Sequence, residues 1–178
     1  GGEGWQVCAP LLELLLALHA PDSMVDWRSQ QPVLAAYHRP LVQCLTLVLE
    51  LAGEGAGAGA AEGAPLLRAV QGVVSAWPQG SNANTPKEVL LLHELESLLV
   101  FEVNAEVKRN IVRTTSPAPA PACSASTSDT GTAWLALAEV VLPRIAASIG
   151  RGNSDNIRPT QRALQMLKCA QVVTFLTH

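Results

Sequence analysis

Apolar positions along this chain recur at helical rather than alternating spacing, and proline, glycine and small polar residues separate the runs. Leu34, Tyr37, Leu41, Leu45, Val48 and Leu49 step by three and four, which is one face of a helix. This predicts a helix over 33–51, in which Pro40 either introduces a kink or marks the true first turn. An earlier helix covers 5–19 and stops before Pro21, and the polar stretch 21–32 reads as a loop. A third covers 65–77 and ends at Pro78. The fourth, over 86–102, has the clearest start. Thr85 as N-cap, Pro86 at the first helical position and Glu88 at the third make a capping box. Leu91, Leu92, Leu95, Leu98 and Leu99 then form one apolar face, and Glu88, Glu94 and Glu96 lie outside that set. A fifth helix spans 133–149, interrupted near Pro143 and ended by Gly150 and Gly152. The sixth is capped within 153–156, tolerates Pro159 in its first turn, and buries Leu164, Leu167, Ala170, Val173 and Leu176.

Two stretches break the pattern. Residues 53–63 are Gly, Ala and Glu, and glycine loses too much backbone entropy there to hold a helix. They read as a flexible insert. Residues 107–131 form a second, whose Pro/Ala/Ser/Thr-rich part, 116–132, lacks the apolar groups for a core. Ser116-Pro117 is a pair common in linkers and carries no weight.

The expected fold class is therefore all-α, a single domain over 1–178. Its expected architecture is a HEAT-like α-solenoid of stacked antiparallel helix pairs, 33–51 with 65–77 and 86–102 with 133–149. Each pair is close to the HEAT period of about 40 residues once the inserts are discounted. A helical bundle is the alternative.

Composition supports helix-on-helix packing, because 48% of residues are hydrophobic and only 4% aromatic, with Leu and Ala in the majority of the apolar set. The formal charge of −3 supplies no field for nucleic-acid phosphates. Residues 7–20 are apolar but contain Pro10, Glu13 and His19, too short and interrupted a run to cross a membrane, and no basic segment of a signal peptide precedes them. Cys8, Cys44, Cys123 and Cys169 form no CxxC pair, which disfavours zinc and points to free thiols in a reducing compartment, with Cys44 and Cys169 in the core.

Chemistry is not announced anywhere. The chain has no GxSxG elbow, no HExxH, no GxGxxG and no GK[ST] loop. His93-Glu94-Leu95-Glu96 lacks the second histidine, and His93 is expected at a boundary or on the surface. His19 and His38 fall near helix ends. The glutamates of the fourth helix read as a solvated or partner-facing edge. No catalytic residue, metal site or cofactor is expected.

One block is distinctive. Trp77-Pro78, then Thr85-Pro86-Lys87-Glu88-Val89, then Leu92-His93-Glu94-Leu95-Glu96-Ser97-Leu98-Leu99 resembles a signature of the B-prime (56 kDa class) regulatory subunits of protein phosphatase 2A. Weaker matches lie in order around it. Upstream are Leu18-His19 before Pro21, then Leu34, Tyr37-His38, Leu41, Cys44 and Leu49-Glu50. Downstream are Leu142-Pro143, Ile145-Ala146, Ser148 and Arg162-Ala163-Leu164. The chain departs from the family in a longer turn before Pro86, in its two inserts, and in Gln165-Met166-Leu167 where the family has an aromatic pair. It resembles a divergent member or a fragment, matching the middle-to-late repeats rather than those with the substrate-motif pocket.

The resemblance implies a non-catalytic, pseudo-HEAT targeting subunit. Such a subunit binds the scaffold and catalytic subunits of the phosphatase and directs it to phosphoprotein substrates, in the cytoplasm and also the nucleus. It makes Lys87, Glu88, Glu94 and Glu96, the polar members of the matched block, the candidate protein contacts. An unrelated helical-repeat scaffold, or a small helical enzyme with a cryptic site at His38 or His93, are the alternatives.

Overall fold

The computed structural model describes residues 3–20, 24–26, 31–54, 64–78, 85–115, 127–150 and 157–177. Among these the chain is all-α apart from one very short strand pairing. The helices are α1 (Glu3–Ala17), α2 (His38–Glu54), α3 (Ala64–Ser75), α4 (Thr85–Thr115), α5 (Thr127–Gly150), α6 (Arg158–Met166) and α7 (Ala170–Thr177).

The faces of α2 and α4 are those their periodicity predicts. Leu34, Leu41, Leu45, Val48 and Leu49 are buried, Tyr37 is half-buried, and Leu91, Leu92, Leu95, Leu98 and Leu99 are fully buried. Each such leucine withdraws about 1.5–3 kcal/mol worth of apolar surface from water. Together with residues of α1, α3, α5, α6 and α7 they make one continuous core. Helix α4 is its axis, packing on α2, α3, α6 and α7, while α1 packs on α2 and α3, and α5 on α3 and α6.

Several boundaries differ from the sequence reading. Between α1 and α2, Met24–Asp26 (β1) pairs antiparallel with Gln31–Pro32 (β2), so 21–32 is not wholly a loop. A single 3-10 turn, Val33–Ala36, precedes α2, and Pro40 falls in the first turn of α2, where a missing N–H costs nothing. Helix α4 continues through Thr115 and α5 begins at Thr127, so both ends of the expected insert 107–131 are helical. Residues 53–54 likewise belong to α2. The remainder of both inserts, the turn 80–84, Cys123, Ser116-Pro117 and the cap at 153–156 lie outside the described residues.

Pro143 does not interrupt α5. It is exposed, as is Glu139 one turn earlier, so the carbonyl deprived of its donor meets water. The expected sixth helix is two. Lys168 and Cys169 donate to carbonyls three residues back, at Gln165 and Met166, and the chain restarts as α7 at Ala170. The buried set is Ala163, Met166, Val172 and Phe175, whereas Leu164, Ala170 and Val173 are exposed, which corrects the predicted stripe. Cys44 is exposed and Cys169 half-buried, not core as expected. Cys44 falls at the margin of the α2 face that Leu41, Leu45 and Val48 bury, where solvent reaches it. The expected pairing also shifts: α5 packs along α3 and α6 rather than α4.

Candidate functional site

Helix α4 carries the four candidate contacts Lys87, Glu88, Glu94 and Glu96, and the core encloses three of them. Lys87 and Glu94 are 0% exposed and Glu88 1%. Helical phase accounts for this. Glu94 lies three residues after Leu91 and four before Leu98, so it shares their face, and Lys87 and Glu88 sit one turn ahead of Leu91 and Leu92. The solvated edge expected of Lys87, Glu88 and Glu94 is therefore corrected, because the core encloses all three. Glu96 is half-buried and ion-pairs with Arg162 of α6, also half-buried. Of the four candidates, Glu96 alone reaches solvent.

Glu94 stands between two imidazoles. His19, in the turn after α1, sets Nε2 2.8 Å from Glu94 Oε1 and Nδ1 3.1 Å from the carbonyl oxygen of Leu16. At 2.8 Å, Nε2 and Oε1 are within hydrogen-bond distance. Burial pushes the Glu94 carboxyl up, but the imidazoles of His19 and His38 outweigh it and hold the group below its ordinary range. The contact is a buried hydrogen bond between an imidazole nitrogen and a carboxylate oxygen.

His38, at the start of α2, is 7% exposed. Its Nε2 stands 3.6 Å from Glu94 Oε2, too long for a hydrogen bond, and both atoms are buried without another hydrogen-bond partner. The His38 ring meets the exposed ring of His93 edge-on, with centroids 5.6 Å apart. Partial burial, then the positive charge of Arg162 and of His38, lowers the His93 pKa against the pull of Glu96 and Glu94. The same junction is closed by the Tyr37 hydroxyl, which donates to the Leu18 carbonyl at 2.8 Å.

A second buried polar cluster lies nearer the start of α4. Glu88 Oε1 accepts from Ser148 Oγ of α5 at 2.6 Å and from Trp77 Nε1 at 3.4 Å. Thr160 Oγ1 of α6 donates to the Ser148 carbonyl at 3.0 Å.

Neither cluster is open to a substrate. An open groove does run between the end of α2, the start of α3 and the second half of α4, over Leu49, Leu66 and Phe101, with Glu50 and Lys108 on its rim, but it contains none of the histidines. Among the described residues no group of three or more His, Cys, Asp or Glu is placed to hold a metal ion, and no helix is long and apolar enough to cross a membrane.

Set against protein-family models, curated proteins and solved structures, the chain matches none of them.

Proposed function

We propose that this chain is a non-catalytic regulatory subunit of protein phosphatase 2A of the B-prime type. In this reading it is a HEAT-like stack that binds the scaffold and catalytic subunits and directs dephosphorylation of phosphoprotein substrates. The observation that carries the reading is a coincidence between sequence and space. Residues of the resembling segments, far apart along the chain, include partners in polar contacts that are buried at Glu94 and Glu88 and half-buried at Glu96. His19 and His38 stand against Glu94, the Tyr37 hydroxyl donates to the Leu18 carbonyl, Trp77 and Ser148 donate to Glu88, and Arg162 pairs with Glu96. Chance matches would not be expected to pick out mutual partners across such separations.

The order of helix contacts supports the repeat architecture. α1 packs on α2, α3 on α4 and α5 on α6, while α1, α3 and α5 touch in sequence, as do α2, α4 and α6. Helix pairs stacked in two layers would give such contacts, with a pairing shifted by one helix from that expected above. The closed histidine–carboxylate cluster favours a structural role there over a catalytic one. Affinity purification of the intact chain with mass spectrometry tests the proposal. Recovery of the phosphatase scaffold and catalytic subunits supports it, and their absence from a folded bait overturns it.

A further inference from the structure

Helix α1 is apolar on two sides. Cys8, Leu12 and Leu16 belong to the core. Val7, Leu11, Leu14 and Leu18, the last in the turn that closes the helix, are between 45% and 74% exposed, and Pro10 and Ala17 are exposed beside them. At about 3.6 residues per turn, these six positions fall within about 120° of arc, opposite the buried set. Glu13, the only charged residue from 7 to 18, lies outside that arc and pairs with Arg68 of α3. A continuous apolar face of this kind marks an interaction surface.

Its spacing and its lack of charge say what covers it. Val7, Leu11, Leu14 and Leu18 occupy the a and d positions of two heptads. Their spacing reads the same from either end. Laid antiparallel on a copy of itself, the helix sets Leu11 against the partner's Leu14 and Val7 against the partner's Leu18, with the helix dipoles opposed. A charged partner finds nothing to pair with on this face, and the face has no basic residue to meet anionic lipid. The six side chains expose roughly 500 Å², so two copies together withdraw about 1,000 Å², the lower limit for a specific interface.

We propose that the chain self-associates through α1, as a two-fold, antiparallel helix pair centred between Leu11 and Leu14. An interface of this size gives a weak dimer, with a Kd of about 10–100 µM, and a monomer at about 1 µM.

Sedimentation equilibrium of the 178-residue chain tests this. Between about 1 and about 300 µM, the average mass is expected to rise from one chain toward two. Leu14→Glu and Leu11→Lys each place a charge at the centre of the pair. Each abolishes the rise and leaves helix content unchanged, because both side chains are exposed in the monomer. Mixed together, L14E and L11K recover a dimer, since antiparallel pairing sets one substitution against the other. Leu47→Glu, at an exposed site on α2, retains the dimer. An unsubstituted chain that is monomeric at about 300 µM overturns the proposal, even if it floats with phosphatidylcholine vesicles. A dimer that survives L14E overturns it as well, and so does recovery of L14E by Leu14→Lys in place of L11K, which would mean parallel helices. Should the substituted chains not fold, dilution of the unsubstituted chain decides by NMR. Methyl signals of Leu11 and Leu14 are expected to shift with concentration while those of Leu47 stay; unshifted Leu11 and Leu14 signals overturn the proposal.

Discussion

His19 Nε2 lies 2.8 Å from Glu94 Oε1, although the two residues are 75 positions apart in the chain. Both side chains are shut off from solvent, so the contact joins the end of α1 to the middle of α4 inside the core. A buried pair of this kind is weak evidence of net stability, because desolvation offsets much of its attraction. Breaking it from one side is another matter.

Glu94→Ala leaves the His19 ring buried without its carboxylate partner. The expected cost is about 3–5 kcal/mol, read as a lower denaturant midpoint at unchanged slope. A loss under about 1 kcal/mol would mean that the pair does not organise the junction.

Acid sensitivity follows from the same residue. The folded Glu94 pKa is below its ordinary 4.5, so its contribution is complete above that value and is lost as pH falls through the lower folded value. His93 also weakens the fold toward acid. Its folded pKa is below 6.5, so the unfolded chain takes the proton first and stability declines as pH drops from 6.5 toward the folded value. Thermal midpoints of the unsubstituted chain and His93→Gln are expected to diverge across that interval, with the variant higher at the acid side.

Gly72 of α3 lies close against Leu16 of α1. A Cβ there would stand 2.5 and 2.6 Å from the Cδ atoms of Leu16 and 2.9 Å from its Cγ. Gly72→Ala gains up to about 1 kcal/mol of helix propensity and meets an overpacking cost of about 1–3 kcal/mol. Net destabilisation is expected. In a double-mutant cycle with Leu16→Ala the substitution becomes neutral or favourable, a non-additivity of about 1 kcal/mol or more. Additive losses would place the clash elsewhere.

Arg68 of α3 reaches Glu13 of α1 through two hydrogen bonds of 2.7 Å, with both side chains about half exposed. Water and salt screen such a pair, so Arg68→Ala is expected to cost no more than about 1 kcal/mol, and less in roughly 1 M salt. A larger, salt-independent loss would show that the arginine stem, rather than its charge, matters at this contact.

The apolar faces of α2 and α4 were legible because leucines at helical spacing have a strong period and little to oppose it. The α6–α7 break was not, since 167–169 holds no glycine or proline and the tightened turn answers to packing by Val172 and Phe175. Burial of Glu88 and Glu94 could have been read from their phase against Leu91 and Leu98, although charge argued for the outside. What no local pattern contains is the partner of each. His19, His38 and Ser148 become ligands of these carboxylates only through tertiary packing, and in the sequence they stand out only as members of ordered, weak family matches.

Association with the phosphatase is tested most directly with the purified scaffold–catalytic heterodimer of protein phosphatase 2A. The heterodimer is mixed with the intact chain at micromolar concentration and resolved by size-exclusion chromatography with light scattering. A regulatory subunit is expected to form a complex with one copy of each of the three chains and with phosphatase activity retained. Separate elution of a folded chain and an unaltered heterodimer would contradict the assignment.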